Sequence, residues 1–318
     1  MSPVHRALPL LLGTATLLTL GCGSEDAPPQ PAGAMGGTSG PTFPLDADIW
    51  TAALARNADG SLSVGPPQQA IHRQGYDNQP YFTPDGTGFW FTALDEHTQQ
   101  TDIWRYDLSG SIQQVTVSAP ESEYSATPMP DGAAVSVVRV EADSAQRLWR
   151  VPLDGAEPSV LLSGVAPVGY HAWIDAERVA LFVLGEPPTL QVAETGRGSA
   201  RVVAEGIGRS IRSIPGEQAV SFVLIAPDGT ATLSRYDGGT GQVTPLVETV
   251  GNGEFHAWTP DGTVLMAEGA ALFAWTPGAD GWTQIGDLSE HRVRITRLAV
   301  SPDGSQIALV VEPGDVTL

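Results

Sequence analysis

Two short segments carry the residue types that most often do chemistry, Tyr170-His171-Ala172-Trp173 and Phe255-His256-Ala257-Trp258. An imidazole titrates near neutral pH and can move a proton or ligate a metal. Glu254, two residues before His256, adds a carboxylate within reach for proton transfer. A catalytic zinc usually takes three protein ligands, and the equivalent places, Pro80, Ala126, Ile211 and Leu298, supply none. The reading taken is that each histidine hydrogen-bonds a neighbouring element, with no metal and no cofactor.

Polar and aromatic residues recur around these segments: Tyr76, Asp77 and Asn78, then Glu123 and Tyr124, Tyr170, Arg209, Glu254, and Arg297. Aromatic faces with a few directed charges orient a ligand in a concave site. With His171 and His256 they form the candidate ligand-binding set, and no catalytic residue is assigned. The chain has no GxSxG elbow, P-loop, dinucleotide fingerprint or cysteine cluster.

The elements that must position these residues are repeated hairpins. Pro80 to Thr92, PYFTPDGTGFWFT, is an apolar run broken by Pro-Asp-Gly and resumed at once. The turn returns at Pro130-Asp131-Gly132, Pro260-Asp261-Gly262 and Pro302-Asp303-Gly304, where Asp shapes the turn and Gly takes positive φ. Anchor residues Phe82, Pro128, Trp173, Ser213, Trp258 and Val300 follow one another at intervals of roughly 40–46 residues, the period of a four-stranded propeller blade. Third strands such as Asp102 to Tyr106 and Arg147 to Val151 alternate large apolar and polar residues, and fourth strands follow at Gln114 to Val117, Ser159 to Leu162, Ala200 to Val203, Val243 to Val247 and Trp282 to Ile285. Trp50, Trp104, Trp149, Trp173 and Trp258 are read as packing between blades.

Five units are complete; the sixth has only two strands at the C-terminal end. Asp48-Ile49-Trp50 matches Asp102-Ile103-Trp104, and Ser61 to Val64 follows an Asp59-Gly60 turn, supplying the missing half. The fold class is therefore all-β, a six-bladed β-propeller over residues 47–318 whose last blade is closed by N-terminal strands. Closure removes free sheet edges without a disulfide.

YDNQPYFTPDG, HAWTPDG and LAVSPDG, each followed by an apolar strand and a strand like DIWRYDL, resemble the TolB-type propeller repeats of bacterial periplasmic proteins and lipoproteins. The resemblance runs from Ala47 onward and implies an envelope propeller without the N-terminal α/β domain of TolB. Propellers host many unrelated activities, so the resemblance carries fold further than function. Paired channel histidines also resemble pectate-degrading propeller lyases, in that detail alone.

The first residues set the location. Met1 to Arg6 is a short charged region, Ala7 to Leu20 is apolar, and Thr19-Leu20-Gly21-Cys22 closes it. That order resembles a bacterial lipoprotein signal over residues 1–21, with Cys22 lipidated; Thr19 departs from the usual leucine. Gly23 in place of aspartate favours the outer membrane by the same resemblance. Residues 22–46, rich in Gly and Pro, form a tether that holds the body on the order of 25 Å from the lipid.

Composition narrows the partners. The formal charge is −20, from 36 acidic and 16 basic residues, with no lysine. Such a surface repels phosphate backbones and anionic lipid, which excludes nucleic acid and leaves the lipid anchor as the membrane contact. The expectation is a monomeric outer-membrane lipoprotein, facing periplasm or cell surface, that binds an envelope protein or a small polar ligand at its channel mouth. The alternative is a lyase or hydrolase acting on an envelope polysaccharide or a small ester, with a histidine-based site in that mouth.

Overall fold

The computed structural model describes residues 46–314 except residue 96. The signal, Cys22 and all of the tether except Asp46 lie outside the described residues. The described residues belong to one compact unit, Thr42–Leu318.

Six antiparallel sheets form a ring. The inner strands are Asp77–Phe82 (blade 1), Ser122–Pro128 (blade 2), Val168–Trp173 (blade 3), Ile207–Ser213 (blade 4), His256–Trp258 (blade 5) and Val293–Val300 (blade 6). Each inner strand packs against the next, and blade 6 packs back onto blade 1. Blades 1 to 5 run in sequence order from inner to outer strand. Second strands such as Gly88–Asp95 and Ala134–Val140 are buried almost throughout, because both faces meet neighbouring blades.

Blade 6 joins the two ends of the described chain. Asp48–Arg56 pairs antiparallel with Gln306–Pro313, placing Ile49 opposite Val310 and Trp50 opposite Leu309. Ile49 packs with Phe82, Phe89, Phe91 and Val310, whereas Trp50 packs with Leu265, Leu298 and Leu309, so the closing strand contributes to the cores on both of its faces. Leu62–Val64 is the fourth strand, and Gln68–Ile71 adds a pairing to Asp48–Arg56 that the repeat did not foretell. In blade 1 the outer strand is Ile112–Gln114, earlier than the Gln114 to Val117 read from sequence. The amides of Val115 and Thr116 both point at the Ile103 carbonyl, which ends the regular ladder and leaves Val117 exposed.

The Pro-Asp-Gly turns behave as turn chemistry requires. Asp85 Oδ1 accepts from the Thr87 amide at 3.1 Å and the Thr83 hydroxyl at 2.5 Å. Asp303 repeats this with Ser305 and Ser301, and the Ser301 and Ser305 bonds hold its carboxyl down to about 2. Gly86, Gly132, Gly262 and Gly304 all have φ between 67° and 84°.

A candidate site in the central channel

Inner strands are irregular where they enter the channel. The register shifts between Asn78 and Tyr81, Tyr124 and Thr127, Val168 and Tyr170, Ile207 and Ile211, and Ile295 and Arg297. A bulge re-aims side chains and is common beside functional sites. At two equivalent places the extra residue is left-handed, Gln79 and Ser125, each with φ 57°. The Gln79 side-chain oxygen accepts from the Ser125 amide (2.7 Å) and the Thr92 hydroxyl (3.0 Å), linking blades 1 and 2.

The channel narrows to a cavity of about 40 Å³, lined among others by Gln79, Tyr81, Ser125, Tyr170, His171, Arg209, Arg212, Phe255 and Arg297. Two arginine–tyrosine contacts cross it between opposite blades. Arg297 of blade 6, 8% exposed, donates from Nη2 to the Tyr170 hydroxyl of blade 3 at 3.0 Å, and its guanidinium lies 4.1 Å from the centroid of the Phe255 ring. Arg212 of blade 4 lies 5.9 Å from the ring centroid of Tyr81 of blade 1, while its Nε donates to the His256 carbonyl at 3.1 Å. Among the described residues no carboxylate stands within ion-pair range of either guanidinium. Burial works against the charge of both. At Arg297 it is outweighed by Tyr170, Tyr76 and Glu254, whereas at Arg212 burial, with Arg297 nearby, pulls the guanidinium below its usual range.

Arg209 is compensated. It donates to Glu254 from its amide (2.8 Å), Nε (3.1 Å) and Nη2 (3.2 Å). Burial raises the Glu254 carboxyl, but the Arg209 bonds outweigh it and hold the group below the usual range. Gly208 makes room for the pair, since a Cβ there would sit 3.2 Å from Glu254 Cγ.

The two histidines belong to the ring's construction. His171 Nε2 lies 2.6 Å from Ser136 Oγ of the preceding blade, and Trp173 Nε1 donates to that oxygen at 3.0 Å. Blades 4 and 5 repeat the triad: His256 Nε2 is 2.7 Å from Ser221 Oγ, and Trp258 Nε1 donates to it at 2.8 Å. Nδ1 of both rings is buried without a hydrogen-bond partner. Burial, helped by Arg212, pushes both imidazoles down to about 3; near His256 the Glu254 backbone acts weakly the other way. Both are neutral at physiological pH. Their Nε2 atoms are engaged by different serines, and among the described residues no three of His, Cys, Asp and Glu gather to hold a metal. Ser136→Ala or Ser221→Ala orphans a buried imidazole and, at once, the indole N–H of Trp173, which is buried, or of Trp258, which is half-buried. Each variant is expected to lose about 2 kcal/mol or more, since an unsatisfied buried group costs roughly 1–3 kcal/mol, and thermal unfolding would measure the loss.

The remaining members of the candidate set lie beyond the narrow cavity. Asp77 and Glu123 are each 0% exposed and take equivalent places in blades 1 and 2. Arg73 Nη2 donates to Asp77 at 2.6 Å and Arg139 Nη2 to Glu123 at 2.5 Å, and these guanidiniums lie over the rings of Trp104 and Trp149. Burial raises both carboxyls despite the arginines. Asn78 is buried with its Oδ1 on the Gln79 amide. Tyr76 is buried, which raises its hydroxyl, and Tyr124 is half-buried. The channel thus brings together Tyr170, His171, Arg209 and Arg297, with Glu254 on Arg209. It also includes Arg212 and Tyr81, which the sequence reading did not single out. One position before the anchor the other blades carry Thr127, Ala172, Ala257 and Ala299, so two large residues in an otherwise small column were the available signal.

This architecture defines the class: a six-bladed β-propeller closed by its N-terminal strands, with arginines crossing its channel. The chain is similar to a protein described as TolB from Agrobacterium tumefaciens, with TM-score 0.65 and 14% identity over 85% of this chain and 99% of that one. It is also similar to TolB from Acinetobacter baumannii, with TM-score 0.56 and 15% identity over 84% of this chain and 64% of that one. An oligogalacturonate lyase in complex with manganese gives TM-score 0.52 and 17% identity, covering 86% and 79%. At such identities the likeness carries the fold alone, which is TolB-like. The chain spans 64% of the length of the Acinetobacter TolB. No protein-family profile and no curated protein matches the sequence.

Proposed function

We propose that the protein is a lipid-anchored binding module of the bacterial cell envelope that engages a partner protein or a small polar ligand at the mouth formed by the entries of its inner strands. The observation that carries this reading is Arg297, a buried guanidinium at that mouth held by Tyr170 and Phe255 with no carboxylate in ion-pair range. The protein is strongly acidic overall, so a buried cation there without a directly paired carboxylate among the described residues is a local reversal of sign. Such a reversal suits recognition of an acidic or polar group, because a buried charge gains most from a well-placed counter-charge. Tyr170 and Phe255 supply flat apolar faces beside it.

The lipobox-like Cys22 and the tether support attachment to the outer membrane, and TolB-like folds among the solved structures fit an envelope role. A histidine-based lyase or hydrolase finds less support, since both imidazoles are buried against serines and Glu254 is held by Arg209.

Two experiments test this reading. Cys22→Ser should move the protein from the membrane to the soluble fraction, and unchanged fractionation would remove the anchor. Arg297→Gln should weaken recovery of the bound partner or ligand from solubilised envelopes by about ten-fold or more, the usual scale for losing a buried charged contact. Recovery equal to that of the unaltered protein would remove the mouth as the binding surface.

A further inference from the structure

The opposite end of the channel holds a second cavity, separate from the mouth. It has a volume of about 270 Å³, and its lining includes Tyr81, Phe82, Arg212, Trp258, Pro260 and Val300. These residues come from the C-terminal ends of inner strands in blades 1, 4, 5 and 6 and the turns that follow. Its walls are largely apolar or aromatic. Their one charged side chain is Arg212, which lines the narrow channel cavity as well. Arg212 therefore forms the inner end of this second cavity.

Three features of that arginine point to a ligand. Its Nε donates to the His256 carbonyl, and among the described residues no carboxylate engages the Nη donors that favour bidentate recognition of an oxyanion. It stands where four of the six blades carry Thr or Ala, and two of those small residues, Ala257 and Ala299, line the cavity with it. Leaving a guanidinium partly buried without a counter-charge is costly, and an incoming anion removes that cost.

We propose that this cavity binds a small organic monocarboxylate, its carboxylate on the Arg212 guanidinium and its apolar body against Trp258, Phe82 and Val300. Mostly apolar walls select against inorganic phosphate, which needs donors on several sides: of the lining hydroxyls, Ser213 and Ser301 already donate to the Trp173 carbonyl and to Asp303, which leaves Tyr81. One guanidinium matches one carboxylate, and the aromatic walls favour a ring or a short alkyl chain as the body.

The test uses the full chain and two matched probes, 3-phenylpropanoate and 3-phenylpropanamide, titrated by calorimetry at neutral pH. The acid is expected to bind with a Kd of about 1 mM or tighter, and the amide at least about ten-fold more weakly. Inorganic phosphate is expected to compete poorly. Arg212→Met should abolish binding of the acid. Should that variant fail to fold, the acid-to-amide ratio on the unaltered protein decides alone. Equal binding of acid and amide, no saturable binding of the acid up to about 10 mM, phosphate competing as well as the acid, or full binding by a folded Arg212→Met protein would each overturn the assignment.

Discussion

Acidification from pH 7 to pH 4 is expected to destabilise the folded ring through His171 and His256, at a cost on the order of 3 kcal/mol for each. The sign follows from where each imidazole titrates. In the unfolded chain both take up a proton near 6.5, whereas in the ring burial and Arg212 push them down to about 3. Above pH 6.5 both states are neutral and the histidines contribute no pH dependence. Below it the unfolded chain gains protons that the ring does not, so stability falls steadily until the folded imidazoles also titrate near 3. The loss from two histidines is comparable with the whole stability of a typical domain.

Carboxyl groups add to or oppose this according to the direction of their shifts. Asp85, Asp131 and Asp303 are held below the usual carboxylate value by turn hydrogen bonds, so their contribution is lost only as pH falls below about 4. Asp77 and Glu123, raised by burial, act above the ordinary carboxylate range and oppose the trend there, because the ring accepts their protons more readily than the unfolded chain. Chemical denaturation at a series of pH values measures the effect. A transition midpoint that stays flat between pH 6.5 and 4.5 in an Asp77→Asn, Glu123→Gln background, where those two opposing carboxyls are removed, would show that the histidines are not buried neutral.

Removal of residues 1–64 is expected to prevent formation of a monomeric ring. That segment supplies the third and fourth strands of blade 6, and its loss exposes the edge of Gln306–Pro313 along Val310 and Val311. An unpaired apolar edge is a template for aggregation. A milder probe is Ile49→Asp, which places a carboxylate at a position with 0% exposure among Phe82, Phe89 and Phe91. The cluster around it is apolar, so the expected loss is several kcal/mol, enough to unfold much of the population at 25 °C. Size-exclusion chromatography and circular dichroism of both variants provide the check. A monodisperse, fully folded truncated protein would mean that five and a half blades close without help from the N-terminal strands.

The ring was legible in the sequence because a blade repeats its turn and its apolar runs at a fixed offset. Ile49 and Trp50 revealed the closure because they copy Ile103 and Trp104. The histidine–serine–tryptophan triads were half legible. His171 and His256 stood out as a repeated pattern, while their partners Ser136 and Ser221 lie eight residues after the anchors of the preceding blades, where the other blades carry Trp90, Leu181, Met266 and Ala308. Only a column-by-column comparison of blades pairs those serines with the histidines that follow. The arginine contacts were less accessible still. Arg297 meets Tyr170, and Arg212 meets Tyr81, because blades three apart face one another across a six-fold ring, and a linear repeat does not display that geometry. Asp77 and Glu123 read as charges at an opening. Each sits under an arginine that covers a tryptophan of the third strand, a pairing the linear sequence does not display.

The claim that the mouth around Arg297 is the binding surface is tested most directly by a photo-reactive phenylalanine analogue in place of Phe255, irradiated in intact envelopes. Val160, exposed on the outer strand of blade 2, serves as the control position. The account predicts a discrete adduct at position 255, diminished by Arg297→Gln, with none at position 160. An adduct at 160 with none at 255, or an adduct at 255 that Arg297→Gln leaves unchanged, would contradict it.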